Sequence, residues 1–387
     1  MSTQPLDTPQ DPTPDQDPTR RTERPERPVR FRATLDVIPA YKPGKPPAPV
    51  EGVTSYKMSS NENPYPPLPS VLQAAADALT SMNRYPDPSI HDLTQRLATE
   101  LDVDPEALII GNGSSGVLSQ IVNACVDDGD EVVYAWRSFE LYPICVAAAG
   151  GRSVQVPLTA DGRHDLTAMA AAVRQATRIV IVCTPNNPTG PSVGARELED
   201  FLAAVPSDVL VLIDEAYLEF VTASDAFDSL AVWRAHPNVV LLRTFSKAYG
   251  LAGLRVGYAV AHPHAAAALA KLSLPFVVTN VAQRAAVASL DARGELDVRV
   301  KSLVAERERV VAGLAEQGWE IPDAQANFVW LPLGPDTLDF AQAATARGLS
   351  VRPFPGEGVR VSIDDPAAND TFLQVAAAFR AERGDGA

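Results

Sequence analysis

The sequence predicts an α/β protein, with a mainly parallel central sheet in a large domain followed by a smaller α+β domain. Three observations carry that expectation. Short apolar runs recur at 107–110, 131–134, 179–183, 209–213, 239–242 and 256–260, with helical periodicity between them. Runs that are apolar throughout suit strands buried on both faces, which is the signature of a parallel sheet sandwiched by helices. Beyond residue 262 the text changes to long helical segments followed by strand-like stretches at 327–331, 350–352 and 358–362. A chain of 387 residues also exceeds what one hydrophobic core usually supports.

Taken in order, residues 1–30 are rich in proline and poor in large apolar side chains, so they are expected as a disordered tail. Residues 31–69 keep the prolines but add Tyr41, Val53, Tyr56 and Met58, which suggests an extended arm laid over another surface. Helices are expected at 71–81 and 90–100, and the strand-helix alternation extends the large domain over 70–264. The small domain takes 265–387, opening with helices at 265–272 and 281–317. No repeat of fixed period is present.

A formal net charge of −15 opposes binding to nucleic acid or an anionic membrane, so any anionic ligand must be held by local groups. Three cysteines without regular spacing suggest neither disulfides nor a metal site, and fit a reducing cytoplasm. No signal-like segment or apolar run of membrane-spanning length is seen.

Gly111-Asn-Gly-Ser-Ser-Gly116 fits the dinucleotide pattern G-x-G-x-x-G, but no acidic residue ends the next strand, where a ribose would need one. What survives is a Gly-rich turn at a helix start, able to bind some phosphate.

Four further segments follow expected strands. Thr184-Pro-Asn-Asn-Pro-Thr-Gly190 is a turn whose Asn side chains can face a ligand, or simply an Asn-Pro turn. Asp214-Glu-Ala-Tyr217 puts a carboxylate at the end of a buried strand, which is costly unless a cation pairs with it. In Thr244-Phe-Ser-Lys-Ala-Tyr-Gly250, Lys247 sits among small, apolar and hydroxyl residues, where desolvation lowers an amine's pKa and favours a nucleophile. Ser246, Thr244 and Arg255 nearby add phosphate-binding donors. Gly358-Val-Arg-Val-Ser362 places Arg360 inside an apolar strand, where it needs an anion: a substrate carboxylate, or an internal salt-bridge partner.

These segments, with Tyr41-Lys-Pro-Gly-Lys45 and Ser59-Ser-Asn-Glu-Asn-Pro64, resemble the fold-type I pyridoxal-phosphate aminotransferases, and within them the histidinol-phosphate aminotransferase group. The resemblance spans nearly everything beyond the tail and implies the aspartate-aminotransferase fold with pyridoxal 5'-phosphate as cofactor. It implies that Lys247 bonds the cofactor's aldehyde and that Asp214 partners its ring nitrogen. Asn187 and Tyr217 match positions at the ring hydroxyl, and Phe139 the ring that stacks on the cofactor. Ser114, Ser115, Thr244, Ser246 and Arg255 match the phosphate cup. Tyr85 resembles a tyrosine donated to the partner subunit's phosphate site, which implies a homodimer. Arg360 matches the carboxylate-binding arginine, with Asn187 and Arg352 also facing substrate.

Trp136-Arg-Ser-Phe-Glu-Leu-Tyr-Pro143, Gln325-Ala-Asn-Phe-Val-Trp-Leu-Pro332 and Val351-Arg-Pro353 resemble the actinobacterial aromatic (phenylalanine) aminotransferases more closely. The implied reaction is a ping-pong exchange of an amino group between an aromatic amino acid and a 2-oxo acid. Trp136 and Tyr142 could pack a flat substrate side chain, or equally be core aromatics. Arg352 keeps histidinol phosphate as an alternative substrate, and a decarboxylase or a non-catalytic cofactor-binding protein are rivals of the same fold. Two departures stand out: Ser115-Gly116 where the group carries Asp-Glu, and Asp364 where it commonly has Gly.

Overall fold

The computed structural model describes residues 51–384 together with 29, 31–36, 38–41 and 44. The tail expected over 1–30 lies, apart from Val29, outside the described residues. Met1–Val37 cluster as a unit of their own, in which a short 3-10 helix spans Ala33–Asp36. Ile38–Ala387 form the second unit.

That unit begins with β1 (Tyr56–Lys57), α1 (Pro69–Leu79), α2 (His91–Leu101), β2 (Leu108–Asn112), α3 (Gly113–Cys125), β3 (Glu131–Trp136), α4 (Leu141–Ala149) and β4 (Arg152–Pro157). It continues through α5 (Leu166–Ala171), β5 (Thr177–Cys183), α6 (Ala195–Ala204), β6 (Leu210–Asp214), α7 (Ser229–Ala235), β7 (Val239–Thr244) and β8 (Val256–Val260). Then follow α8 (Pro263–Ala270), α9 (Asn280–Asp291), α10 (Arg293–Glu316), β9 (Phe328–Leu331), α11 (Thr337–Ala346), β10 (Leu349–Ser350), β11 (Arg352–Phe354), β12 (Gly358–Ser362) and α12 (Pro366–Gly384).

Seven strands make one sheet in the order β2-β8-β7-β6-β5-β3-β4. Every neighbouring pair is parallel except the two made by β8, which is antiparallel to both β2 and β7. The connection from β7 to β8 is too short for a helical crossover, so the chain turns back on itself there. Because β8 is reversed against both neighbours, β2 runs with β7. The carboxyl ends of β2, β3, β5, β6 and β7 therefore share one edge of the sheet, and β8 starts from it.

Strand alternation feeds two cores. Val180, Val182, Val211, Ile213, Val239 and Leu241 face one, which α2, α6, α7 and α9 cover. Ile179, Ile181, Leu212, Val240 and Leu242 face the other, covered by α3, α4 and α8. A third core surrounds the antiparallel sheet β11-β12-β9 and is filled from α10, α11 and α12. Helices α8 and α9, grouped by the sequence with the small domain, give their buried residues to the cores of the large sheet, and of the helices after β8 the first to feed the small core is α10, from Leu296.

Three local expectations change. The helix expected over 281–317 is two, α9 and α10, broken at Ala292; the break lets one serve the large sheet and the other the small core. The strand expected at 350–352 is also two: β10 pairs in parallel with β1, whereas β11 pairs with β12. Edge strand β4, whose residues are mostly half-buried or exposed, lacks the apolar run that marks the interior strands.

The start of α3 passes close over β8 at Gly257, where a Cβ would lie 2.3 Å from the Ser114 backbone nitrogen and 2.8 Å from the Gly113 carbonyl carbon. Backbone cannot yield as a side-chain tip can. Gly257→Ala should destabilise the fold by about 1–3 kcal/mol, read as a lowered midpoint in urea unfolding; an unchanged midpoint would show that the loop relaxes freely.

Candidate active site

The carboxyl edge of the large sheet is where chain ends and helix starts converge, and it holds the site. At the end of β6, Asp214 and Glu215 are adjacent and therefore point to opposite sides. Glu215 meets the buried Arg243 guanidinium at 2.8 Å. Among the described residues Asp214 makes no ion pair: its Oδ2 accepts a hydrogen bond from the Tyr142 hydroxyl at 2.7 Å, and its Oδ1 is buried without a partner. Burial raises the Asp214 carboxyl to about 6, against the lowering effect of Tyr142.

Lys247 lies in the turn between β7 and β8. Its amine donates to the backbone carbonyls of Ser60 (3.3 Å) and Asn61 (3.2 Å), so the arm segment after β1 forms one wall. Burial lowers this amine to about 7, and the Arg360 guanidinium pushes it the same way. Asn61 holds the wall in place: its amide donates to the Tyr217 hydroxyl at 2.9 Å and its Oδ1 accepts from Ser362.

The glycine-rich turn opens α3, with Gly113 at φ +71° and Ser114 and Ser115 in the first helical turn, where backbone N–H groups have no helical acceptor. Arg255 crosses from the start of β8, donating to Ser115 Oγ at 3.2 Å and to Ser246 Oγ at 3.4 Å. Thr244 Oγ1 accepts from the Ser246 backbone N–H. A guanidinium ringed by hydroxyls at a helix start is an anion cup.

From the small sheet, Arg360 reaches in from β12, donating to Asn187 Oδ1 (2.5 Å) and to the Ser59 carbonyl (2.8 Å). Its Nε is buried without a partner. Asn187 thus spends its oxygen on Arg360, leaving its amide as a donor. Arg352 is bonded to Glu140 at 2.6 Å.

A cavity of about 250 Å³ is lined by Lys247, Asp214, Tyr217, Asn187, Phe139, Ser114, Ser115, Thr244, Ser246, Arg255, Arg352 and Arg360. All the site residues expected from the sequence therefore meet here except Tyr85, which is 80% exposed and stacks on Phe276 away from the cavity. Trp136 and Tyr142 do not line it, so of the two readings the one that placed them beside a substrate is not met. Arg137 stacks on Trp136, and Tyr142 is fully buried beneath Asp214. The rings that do line it besides Phe139 and Tyr217 are Tyr41 and Phe354. Asn61 and Glu140 had no individual role expected from the sequence, and the role of Tyr142 under Asp214 differs from the one expected. Only Tyr142 carried a local signal, at three residues beyond Phe139 on the first turn of α4.

The unmatched atoms suit one kind of ligand. Asp214 Oδ1 needs a cationic donor, Arg360 Nε an anion, the hydroxyl cup a phosphate, and the Lys247 amine a carbonyl. Pyridoxal phosphate has a protonatable ring nitrogen, a phosphate and an aldehyde, so the residues fit it. Among the described residues no cluster of His, Cys, Asp and Glu is able to hold a metal ion.

Residues 54–375 match the family model for class I and II aminotransferases. A Streptomyces avermitilis protein named aromatic amino acid aminotransferase is 56% identical over 353 residues, 91% of this chain and 98% of its own. A Thermobifida fusca protein of the same name is 52% identical over the same share of this chain. A histidinol-phosphate aminotransferase from Sinorhizobium meliloti, solved in complex with pyridoxal-5'-phosphate, superposes with a TM-score of 0.78 at 32% identity, covering 84% of this chain and 90% of that one. A Thermus thermophilus aspartate aminotransferase variant, 24% identical with a TM-score of 0.73, shares the fold over 84% of this chain and 92% of its own.

The lowered amine makes a prediction. In cofactor-free protein, reductive labelling of Lys247 by formaldehyde and cyanoborohydride should rise with pH and reach half its maximum near 7, because burial disfavours the charged form that cannot react. Peptide mass spectrometry reads the site. A midpoint near the 10.5 of an ordinary lysine would contradict it.

Proposed function

The chain belongs to the class I and II aminotransferases, and we propose that it moves an amino group between an aromatic amino acid and a 2-oxo acid, with pyridoxal 5'-phosphate as cofactor. The observation that carries the chemistry is the one cavity lined together by Lys247, whose amine burial lowers to about 7, by Asp214, which has an unpartnered carboxylate oxygen, and by Arg360, which has an unpartnered Nε. The aromatic preference rests on the near-full-length relatives that bear that name, and on the Tyr41 and Phe354 rings beside the anion seat.

Bound pyridoxal phosphate supplies an aldehyde to receive the amino group and a ring that withdraws electrons from the substrate's α-carbon. Asp214 would pair with the ring nitrogen and favour its protonated form, and Tyr142 fixes the carboxylate by donating to its other oxygen. Tyr217 and the Asn187 amide would hold the ring hydroxyl, and Phe139, which lines the same cavity, would offer the ring an aromatic surface. The cup of Ser114, Ser115, Thr244, Ser246 and Arg255 seats the phosphate. Lys247 would hold the cofactor at its aldehyde end, and its amine would be the base that moves the proton at the substrate's α-carbon. Arg360 grips the substrate carboxylate, which turns the Cα–H bond rather than the carboxylate toward that base.

We further infer a homodimer acting in the cytoplasm. The exposed Tyr85 ring, with Phe276 beside it and the exposed Met82 and Leu274, forms an apolar surface that suits a partner subunit whose phosphate cup Tyr85 completes. The free Cys125, Cys145 and Cys183 fit a reducing compartment.

Two measurements test this reading. With one common non-aromatic amino donor, kcat/KM for the acceptors phenylpyruvate and 4-hydroxyphenylpyruvate, the 2-oxo acids of phenylalanine and tyrosine, should exceed that for imidazole acetol phosphate by at least about tenfold; a preference for the phosphate ester would overturn the aromatic assignment. Tyr85→Ala should weaken cofactor retention on dialysis by roughly tenfold, the loss of one good hydrogen bond to a charged group. Retention equal to the parent's, in a protein that sediments as a dimer, would remove Tyr85 from the site.

A further inference from the structure

Two arginines stand directly opposite each other in the small sheet: Arg352 on β11 is the cross-strand partner of Arg360 on β12, so both project from the same face, into the cavity. Like charges placed so oppose each other unless something separates or neutralises them. The large region answers the two differently. Glu140, just before α4, meets Arg352 with a full negative charge at 2.6 Å, and both side chains line the cavity. Arg360 receives only neutral acceptors, Asn187 Oδ1 and the Ser59 carbonyl, and keeps Nε free. Arg352 is further held over the Phe354 ring at 5.5 Å. The anion seat thus contains two guanidinia but only one uncompensated positive charge.

We propose that Glu140 is a specificity-determining residue: by neutralising Arg352 it sets the seat for a singly charged carboxylate and against amines that carry a doubly charged phosphate monoester in its place. This rests on the reading of Arg360 as the carboxylate seat. A carboxylate needs one guanidinium, which Arg360 supplies. A phosphate dianion draws on both, and to reach Arg352 it must displace Glu140 or sit beside its charge, at a cost either way. Removing the charge of Glu140 frees the second arginine, which it contacts directly, and acts on Arg360 only through longer-range charge interaction.

The test uses the holoenzyme at about pH 8, where phosphate is a dianion, with inorganic phosphate and acetate as probes titrated by calorimetry. In Glu140→Gln the dissociation constant for phosphate should fall by about tenfold or more while that for acetate stays within about twofold. Glu140→Asp should keep the parent's phosphate-to-acetate ratio, and adding Arg352→Gln to Glu140→Gln should return phosphate to weak binding. Glu140→Ala serves as a second variant, with the same expectation as Glu140→Gln. A ratio unchanged in both neutral variants, or a gain that persists without Arg352, overturns the proposal. Arg360→Gln keeps the two readings apart. Acetate binding that survives it refutes the carboxylate seat itself, whereas acetate binding lost there, with an unchanged ratio in Glu140→Gln, refutes only the role of Glu140. A merely structural Glu140–Arg352 contact would alter stability without changing the ratio.

Discussion

The rest of the site depends on a carboxylate buried at the end of β6 with one oxygen left unmatched. An ionised group in that position is costly, and the chain meets the cost only halfway: Tyr142 donates to one oxygen of Asp214, and burial still raises the carboxyl to about 6. Its neighbour Glu215 shows the alternative, since it faces the other way and is fully paired with Arg243. The contrast between adjacent carboxylates, one satisfied and one waiting, separates a structural ion pair from a ligand site. A cationic ring nitrogen completes what the fold leaves open.

The same logic runs through the cavity. Burial lowers the Lys247 amine because Asp214 and Glu62 attract its charge less than desolvation and the guanidinia of Arg360 and Arg255 oppose it. Arg360 is held by neutral acceptors, so its charge is kept for a ligand. These groups come from different layers: Asp214 and Lys247 from the large sheet's edge, Arg360 from the small sheet, and the Ser59–Asn61 carbonyls from the arm. Asn61 ties the three together through Tyr217, Ser362 and Asn327. The arm is therefore part of the site's wall rather than a decoration on it.

Much of this was legible in the residues. Interior strands such as 179–183 and 239–242 stood out because burial on both faces demands unbroken apolar runs, and Asp214 sat at the end of another such strand. The edge strand β4 and the two-residue β1 were not legible, since half-exposed or very short pairings leave no such run. The break between α9 and α10 was hidden because both halves share one helical periodicity, and only the presence of two separate cores divides them.

Local chemistry in the sequence determined which side chains could act: a lysine among small residues, an acid at a buried strand end, an arginine inside an apolar strand, a glycine turn before a helix. Partnership was decided only by the tertiary structure. Tyr142 was placed under Asp214 rather than beside a substrate, Tyr85 outside this chain's cavity, and Glu140 against Arg352 across more than two hundred positions of sequence. A contact between distant segments leaves no period or spacing in the text, because it depends on how layers pack and not on how neighbours repeat.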